Sequence, residues 1–137
     1  MRRLVERINC PVLCVLAVLA GLAGCQTNQP PLAKVTGRVT YNGLPARAEV
    51  VFQPETADHK SAGRPSLAMT DERGEFALQY AEGQPGAVVG PHRVSISLYP
   101  SRNEDMQPAQ QFIVEKTVRF ERIVQAGQAN RFRFVLN

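Results

Sequence analysis

Few side chains in this 137-residue chain have chemistry of their own: two histidines, three cysteines, scattered serines and one knot of acids. His59 follows Asp58 in a polar stretch, the pairing that a loop metal site or an acid/base pair would use. Two scattered histidines do not make a ligand set, because a structural zinc takes four N or S donors. His92 heads an alternating apolar run and reads as a surface or edge residue. Asp71, Glu72 and Glu75 crowd one turn. Calcium takes six or more oxygens from an organised loop. The acids therefore read as a turn cap, with Asp71 accepting the amides that follow it and Gly74 closing the turn. A serine nucleophile needs a base and an orienting group beside it. Ser66, Ser95, Ser97 and Ser101 have no such neighbours in sequence, and Ser95 and Ser97 fall on the outward phase of a strand. No catalytic residue, cofactor or metal is expected.

The cysteines point to a different chemistry. Residues 1–9 carry Arg2, Arg3 and Arg7, and residues 10–22 are an uncharged apolar run containing Cys10 and Cys14. That run is short of the roughly 20 residues a membrane span needs, and it suits the apolar core of a signal peptide. It ends Leu22-Ala23-Gly24-Cys25, which resembles the bacterial lipobox. The resemblance implies cleavage after Gly24 and a diacylglyceryl thioether on Cys25, the thiol being the strong nucleophile available. Acyl chains contribute ~0.8 kcal/mol per buried CH₂, so two or three of them anchor stably. Gln26 stands where inner-membrane lipoproteins often carry Asp, so the resemblance favours the outer membrane. The alternative is an ordinary secretory signal, or an N-terminal membrane helix, with an incidental cysteine. Residues 26–33, polar and proline-bearing, read as an unpaired tether of at most ~26 Å.

Cleavage would remove Arg2, Arg3, Arg7 and Glu6, leaving 13 basic and 11 acidic residues of the 16 and 12 in the whole chain. A net charge of +2 is too small for a nucleic-acid footprint, which needs a clustered basic face. One remaining cysteine permits no internal disulfide, so the domain must stand on burial.

Beyond the tether, period-2 alternation predicts seven strands, at 35–41, 48–52, 67–69, 76–80, 94–98, 117–124 and 132–136. Asn42-Gly43 is a tight-turn signal, and Pro54 stops the second strand. Arg122 falls in phase with Val118, Phe120 and Val124, which implies a bulge or an edge position. Loops are expected at 55–65, 81–91 and 100–116. No stretch sustains a 3.6-residue period. The reading is all-β: a leader at 1–24, lipidated Cys25 and tether over 25–33, and a seven-stranded Greek-key sandwich over 34–137. Arg119, Arg131 and Arg133 are expected on the outer face of the last two strands. There they would touch anionic headgroups or acidic glycans, or simply form solvated faces that guard against edge pairing.

Three stretches resemble the carboxypeptidase regulatory-like family. Residues 35–45 match its V-x-G-x-V strand, turn and G-x-P. Residues 70–76 (TDERGEF) match its T-D-x-x-G-x-F hairpin, and residues 90–96 match the lead into its next strand. The resemblance implies a transthyretin-like (prealbumin-like) sandwich used as a non-catalytic module, and it implies no specific ligand. Many secreted bacterial lipoproteins resemble the whole arrangement. Transthyretin-like hydrolases of 5-hydroxyisourate carry a C-terminal Tyr-Arg-Gly-Ser and paired histidines. This chain ends Phe134-Val135-Leu136-Asn137, so an enzyme is not expected. The expected function is that of a membrane-anchored envelope lipoprotein facing the periplasm or exterior, structural or protein-binding. Its expected partners are the membrane, through Cys25, and envelope proteins or glycans, with no nucleic acid. The alternative is carbohydrate or small-ligand binding by the three loops, which the absence of tryptophan weakens.

Overall fold

The computed structural model describes residues 29–56, 63–103 and 105–137, which contain ten strands and no α-helix. They are β1 (Leu32–Ala33), β2 (Val35–Tyr41), β3 (Leu44–Pro45), β4 (Ala48–Pro54) and β5 (Ser66–Met69), then β6 (Glu75–Ala77), β7 (Ala87–Val88), β8 (Gly90–Leu98), β9 (Lys116–Val124) and β10 (Asn130–Leu136). One sheet has the order β5-β4-β8-β9 and is antiparallel throughout. The other is built on β2, with β10 parallel along one side and β6 and β3 antiparallel along the other. β1 and β7 form a small ribbon. This is the all-β sandwich that the alternation implies: each of the seven expected strands is present, and three two-residue strands are added to them.

Alternation puts one face of each strand into the gap between the sheets. β4 buries Ala48, Val50 and Phe52; β8 buries Val94, Ile96 and Leu98; β2 buries Val35 and Val39; β10 buries Phe134 and Leu136. Each large apolar side chain so buried contributes roughly 1.5–3 kcal/mol. Five of the six phenylalanines meet around Phe134, whose ring lies 5.0 Å from Phe120, 6.2 Å from Phe76, 6.3 Å from Phe132 and 6.4 Å from Phe52. Gly37 is the one inward position of β2 without a side chain. A Cβ there would sit 2.6 Å from Phe76 Cζ and closer still to the Phe132 carbonyl, so the aromatic ring occupies the space a side chain would take.

The phase of Arg122 comes from its edge position. β9 pairs residue for residue with β8, without a bulge, and has no partner on its other side among the described residues. The Arg122 guanidinium lies 5.0 Å from the Phe134 centroid and 5.3 Å from that of Phe120. It closes the open side of the core with an apolar stem and a cationic cap, an arrangement that leaves its charge hydrated.

Several boundaries move relative to the sequence reading. The segment expected to be an unpaired tether is partly folded: Leu32–Ala33 pairs with Ala87–Val88, Ala33 is buried, and Val89 N–H donates to the Pro31 carbonyl (2.9 Å). The 81–91 loop therefore supplies β7, and β8 starts at Gly90 rather than 94. The hairpin expected around 71–74 is a corner between the sheets. β5 pairs with β4 and β6 with β2, while Leu67 and Gln79 exchange two backbone hydrogen bonds of 3.0 Å across the seam. Strand 76–80 consequently divides: β6 stays with β2, and Gln79 turns to β5 while Leu78 and Tyr80 remain buried.

Candidate functional site

Arg47 lies between buried Ala46 and Ala48 where the chain enters β4, so its side chain leaves the sandwich at one end. The linker between β8 and β9 folds over it. Arg47 Nη1 donates to the Gln111 carbonyl (2.9 Å) and lies 3.4 Å from that of Pro100. Its guanidinium carbon is 5.7 Å from the Tyr99 ring centroid and 5.9 Å from that of Phe112. Tyr99 is fixed in turn, its N–H donating to the Arg47 carbonyl (2.9 Å) and its hydroxyl to Glu49 Oε2 (3.0 Å). Loss of water around the phenol, then the Glu49 hydrogen bond and charge, push the Tyr99 pKa above its ordinary 10, so it remains a neutral donor.

The opposite wall is built by Thr70 and Asp71. Thr70 Oγ1 donates to the Ala46 carbonyl (2.6 Å) and accepts from Ala48 N–H (2.8 Å), stitching the end of β5 to the start of β4. Asp71 Oδ1 accepts the N–H groups of Arg73 and Glu75, each at 2.9 Å, and Gly74 holds φ +74°. A Cβ at Gly74 would also collide with the Val39 carbonyl. Between these walls lies a cleft of about 690 Å³ bordered by Arg47, Tyr99, Phe112, Arg102, Asp71 and Glu72. Phe112 is 70% exposed, the one phenylalanine outside the core. The cleft combines cations, carboxylates and aromatic faces, a surface suited to binding a polar ligand that also has a flat or apolar part.

The residues singled out by sequence do not converge on one place. Cys25 and the rest of Leu22-Ala23-Gly24-Cys25 lie outside the described residues, as do Asp58 and His59. Asn42 and Gly43, with φ 49° and 81°, make the β2–β3 turn. His92 is not a surface residue: it is 1% exposed, inward on β8, with its ring 5.6 Å from that of Phe52. Nδ1 lies 3.0 Å from the Gly90 carbonyl and so carries the proton, while Nε2 has no partner among the described residues. Burial lowers its pKa, against smaller opposing effects of that hydrogen bond and of Glu55. Ser66 is buried, Ser95 and Ser97 face outward, and Ser101 borders the cleft, none of them paired with His92. Among the described residues no three His, Cys, Asp or Glu side chains group as metal ligands. Arg119 is separated from Arg131 and Arg133, because β9 and β10 belong to different sheets.

Sequence reasoning missed Arg47, Tyr99 and Phe112. The apolar run Phe112-Ile113-Val114 inside an otherwise polar linker was the available signal. Phe112, Ile113 and Val114 are all exposed.

No protein-family model matches the sequence, and no curated protein matches it. Among solved structures, a DUF3823 family protein from Parabacteroides merdae superposes with a TM-score of 0.40 and 16% identity, covering 78% of this chain and 46% of that one. The chain thus spans less than half the length of that protein, and a likeness this weak decides nothing about function.

Proposed function

We propose that the chain is a non-catalytic module of the bacterial envelope, lipidated on Cys25 and presenting a carboxypeptidase regulatory-like sandwich to other envelope components. The observation that carries this reading is Leu22-Ala23-Gly24-Cys25 at the end of a charged, then apolar, leader, with the first strand beginning at Leu32. Only a few residues separate the acylated position from the folded body, which keeps the body at the membrane surface. The test is expression of the full chain in a bacterial host. Mass spectrometry should show an acylated Cys25 N-terminus, and Cys25→Ser should leave the membrane fraction. An unshifted mass, with membrane retention the same in Cys25→Ser, would refute the anchor.

The cleft favours a second reading, binding of a small ligand or glycan by the 100–116 linker. Of the three loops considered, this one supplies cleft residues: Ser101, Arg102 and Phe112. Glycan-array screening and ligand-observed NMR without a hit would remove it.

A further inference from the structure

We propose that the outer face of the β2 sheet lies against the anionic phospholipid headgroups of the bilayer that holds Cys25. The inference extends the anchored reading above and rests on it.

The argument starts from register. β10 runs parallel to β2, with Arg133 opposite Arg38 and Arg131 opposite Thr36. Phe132 and Phe134 on β10, and Val35 and Val39 on β2, take the inward phase, so Arg38, Arg131 and Arg133 share the outward one. Lys34, exposed just ahead of β2, continues the same alternation. Parallel neighbours are ~4.8 Å apart, and like charges directly opposite destabilise a sheet. Arg38 spends only Nε on the protein, donating to the Arg73 carbonyl (3.0 Å), and Arg131 and Arg133 make no hydrogen bond or ion pair with the described residues. Among the described residues, four cations on this face meet two acids, Glu75 on β6 and Asp71 at the corner beside it.

The opposite outer face is different in kind. There Arg93 and Arg119 are balanced by Glu49 and Glu121, amid exposed Leu67, Met69 and Ile123. The β2 sheet therefore carries an excess of positive charge on its outer face that the other sheet does not.

Chain length decides the partner. Lys34 and Arg131 lie at the end where the chain enters β2, and Arg133 and Arg38 follow within four residues along the strands. Six residues from Cys25 to Pro31 span at most ~20 Å. An acylated Cys25 keeps these cations within reach of headgroups, whose surface potential is felt within about a Debye length, ~8 Å at physiological salt.

The test uses the mature chain 25–137 carrying Cys25→Ser, without lipid, in co-sedimentation with vesicles. Binding is expected to vesicles of phosphatidylglycerol and phosphatidylcholine in equal parts, not to phosphatidylcholine alone, and should fade as salt rises. The triple variant Arg38→Gln/Arg131→Gln/Arg133→Gln should bind about a hundredfold more weakly, at about fivefold per arginine, with no loss of thermal stability. Arg93→Gln/Arg119→Gln, on the other face, should bind as wild type does. Equal weakening by both variants, or none by the triple variant, overturns the proposal. So does indifference to the vesicles together with retention on a soluble polyanion, which would make the partner an acidic polymer. Because the assay contains no acylated protein, loss of the anchor reading and loss of this one remain separate outcomes.

Discussion

Replacing Arg47 by Met keeps the aliphatic stem and removes the guanidinium on which the β8–β9 linker rests. The charge-assisted bond to the Gln111 carbonyl (2.9 Å) is of a class worth ~1.5–3 kcal/mol, and half-exposure of Arg47 reduces it to about 1. The contacts with Tyr99 and Phe112 add ~0.5 kcal/mol each at an exposed site. The bond to Pro100, at 3.4 Å, adds little. About 2 kcal/mol of linker docking is lost, equivalent to roughly thirtyfold in an opening equilibrium. The linker contributes no residue to the buried core, so the opening is local. Hydrogen exchange followed by mass spectrometry should show about thirtyfold faster exchange at Gln110 and Ile113, whose N–H groups bond within the 3-10 turn Pro108–Phe112. The same loss counts against the unfolded chain, so the melting temperature should also fall, by several degrees. Arg47→Lys, which keeps a charge but not the planar fork, should fall between the two. Unchanged linker exchange in Arg47→Met would refute the reasoning, as would a large drop in melting temperature without a change in exchange.

Two further substitutions probe the core. Gly37→Ala should cost about 2 kcal/mol in urea unfolding, since the new methyl meets both the Phe76 ring and the Phe132 carbonyl; adding Phe76→Leu should recover only part of this, because the carbonyl cannot yield. His92 titrates near 6.5 when unfolded and below that when folded. Protons therefore bind the unfolded chain first, and the stability present above pH 6.5 declines as the pH falls from there toward the folded pKa. The melting temperature should drop from pH 7 to pH 5, and His92→Phe should flatten that difference; an unaltered pH dependence in the variant would place its source elsewhere.

The strands were legible because alternation is a property of consecutive residues: Phe132, Phe134 and Leu136 announce β10 without reference to anything distant. Which strands become neighbours is not written locally. Arg119 and Arg131 look equivalent in sequence, yet β9 extends the β4–β8 sheet while β10 crosses to lie beside β2, and the two arginines end on different sheets. The same crossing brings Arg38 to Arg133 across 95 residues of chain, a pairing no local pattern announces. His92 shows the converse limit. Its alternation with Val94, Ile96 and Leu98 already put it in the inward phase, and only its polarity argued for the surface. One Nδ1–Gly90 hydrogen bond and a neutral ring let burial prevail. Gly37, by contrast, was visible as part of a motif but had no physical reason until Phe76 was seen to cover it. The cleft was the least legible part, because Arg47, Asp71 and the pair Tyr99 and Phe112 come from three separate connections and meet only where the sheets end. A binding surface of this kind is assembled by topology, so its specificity can change through the 100–116 linker while the alternation that builds the sandwich stays intact.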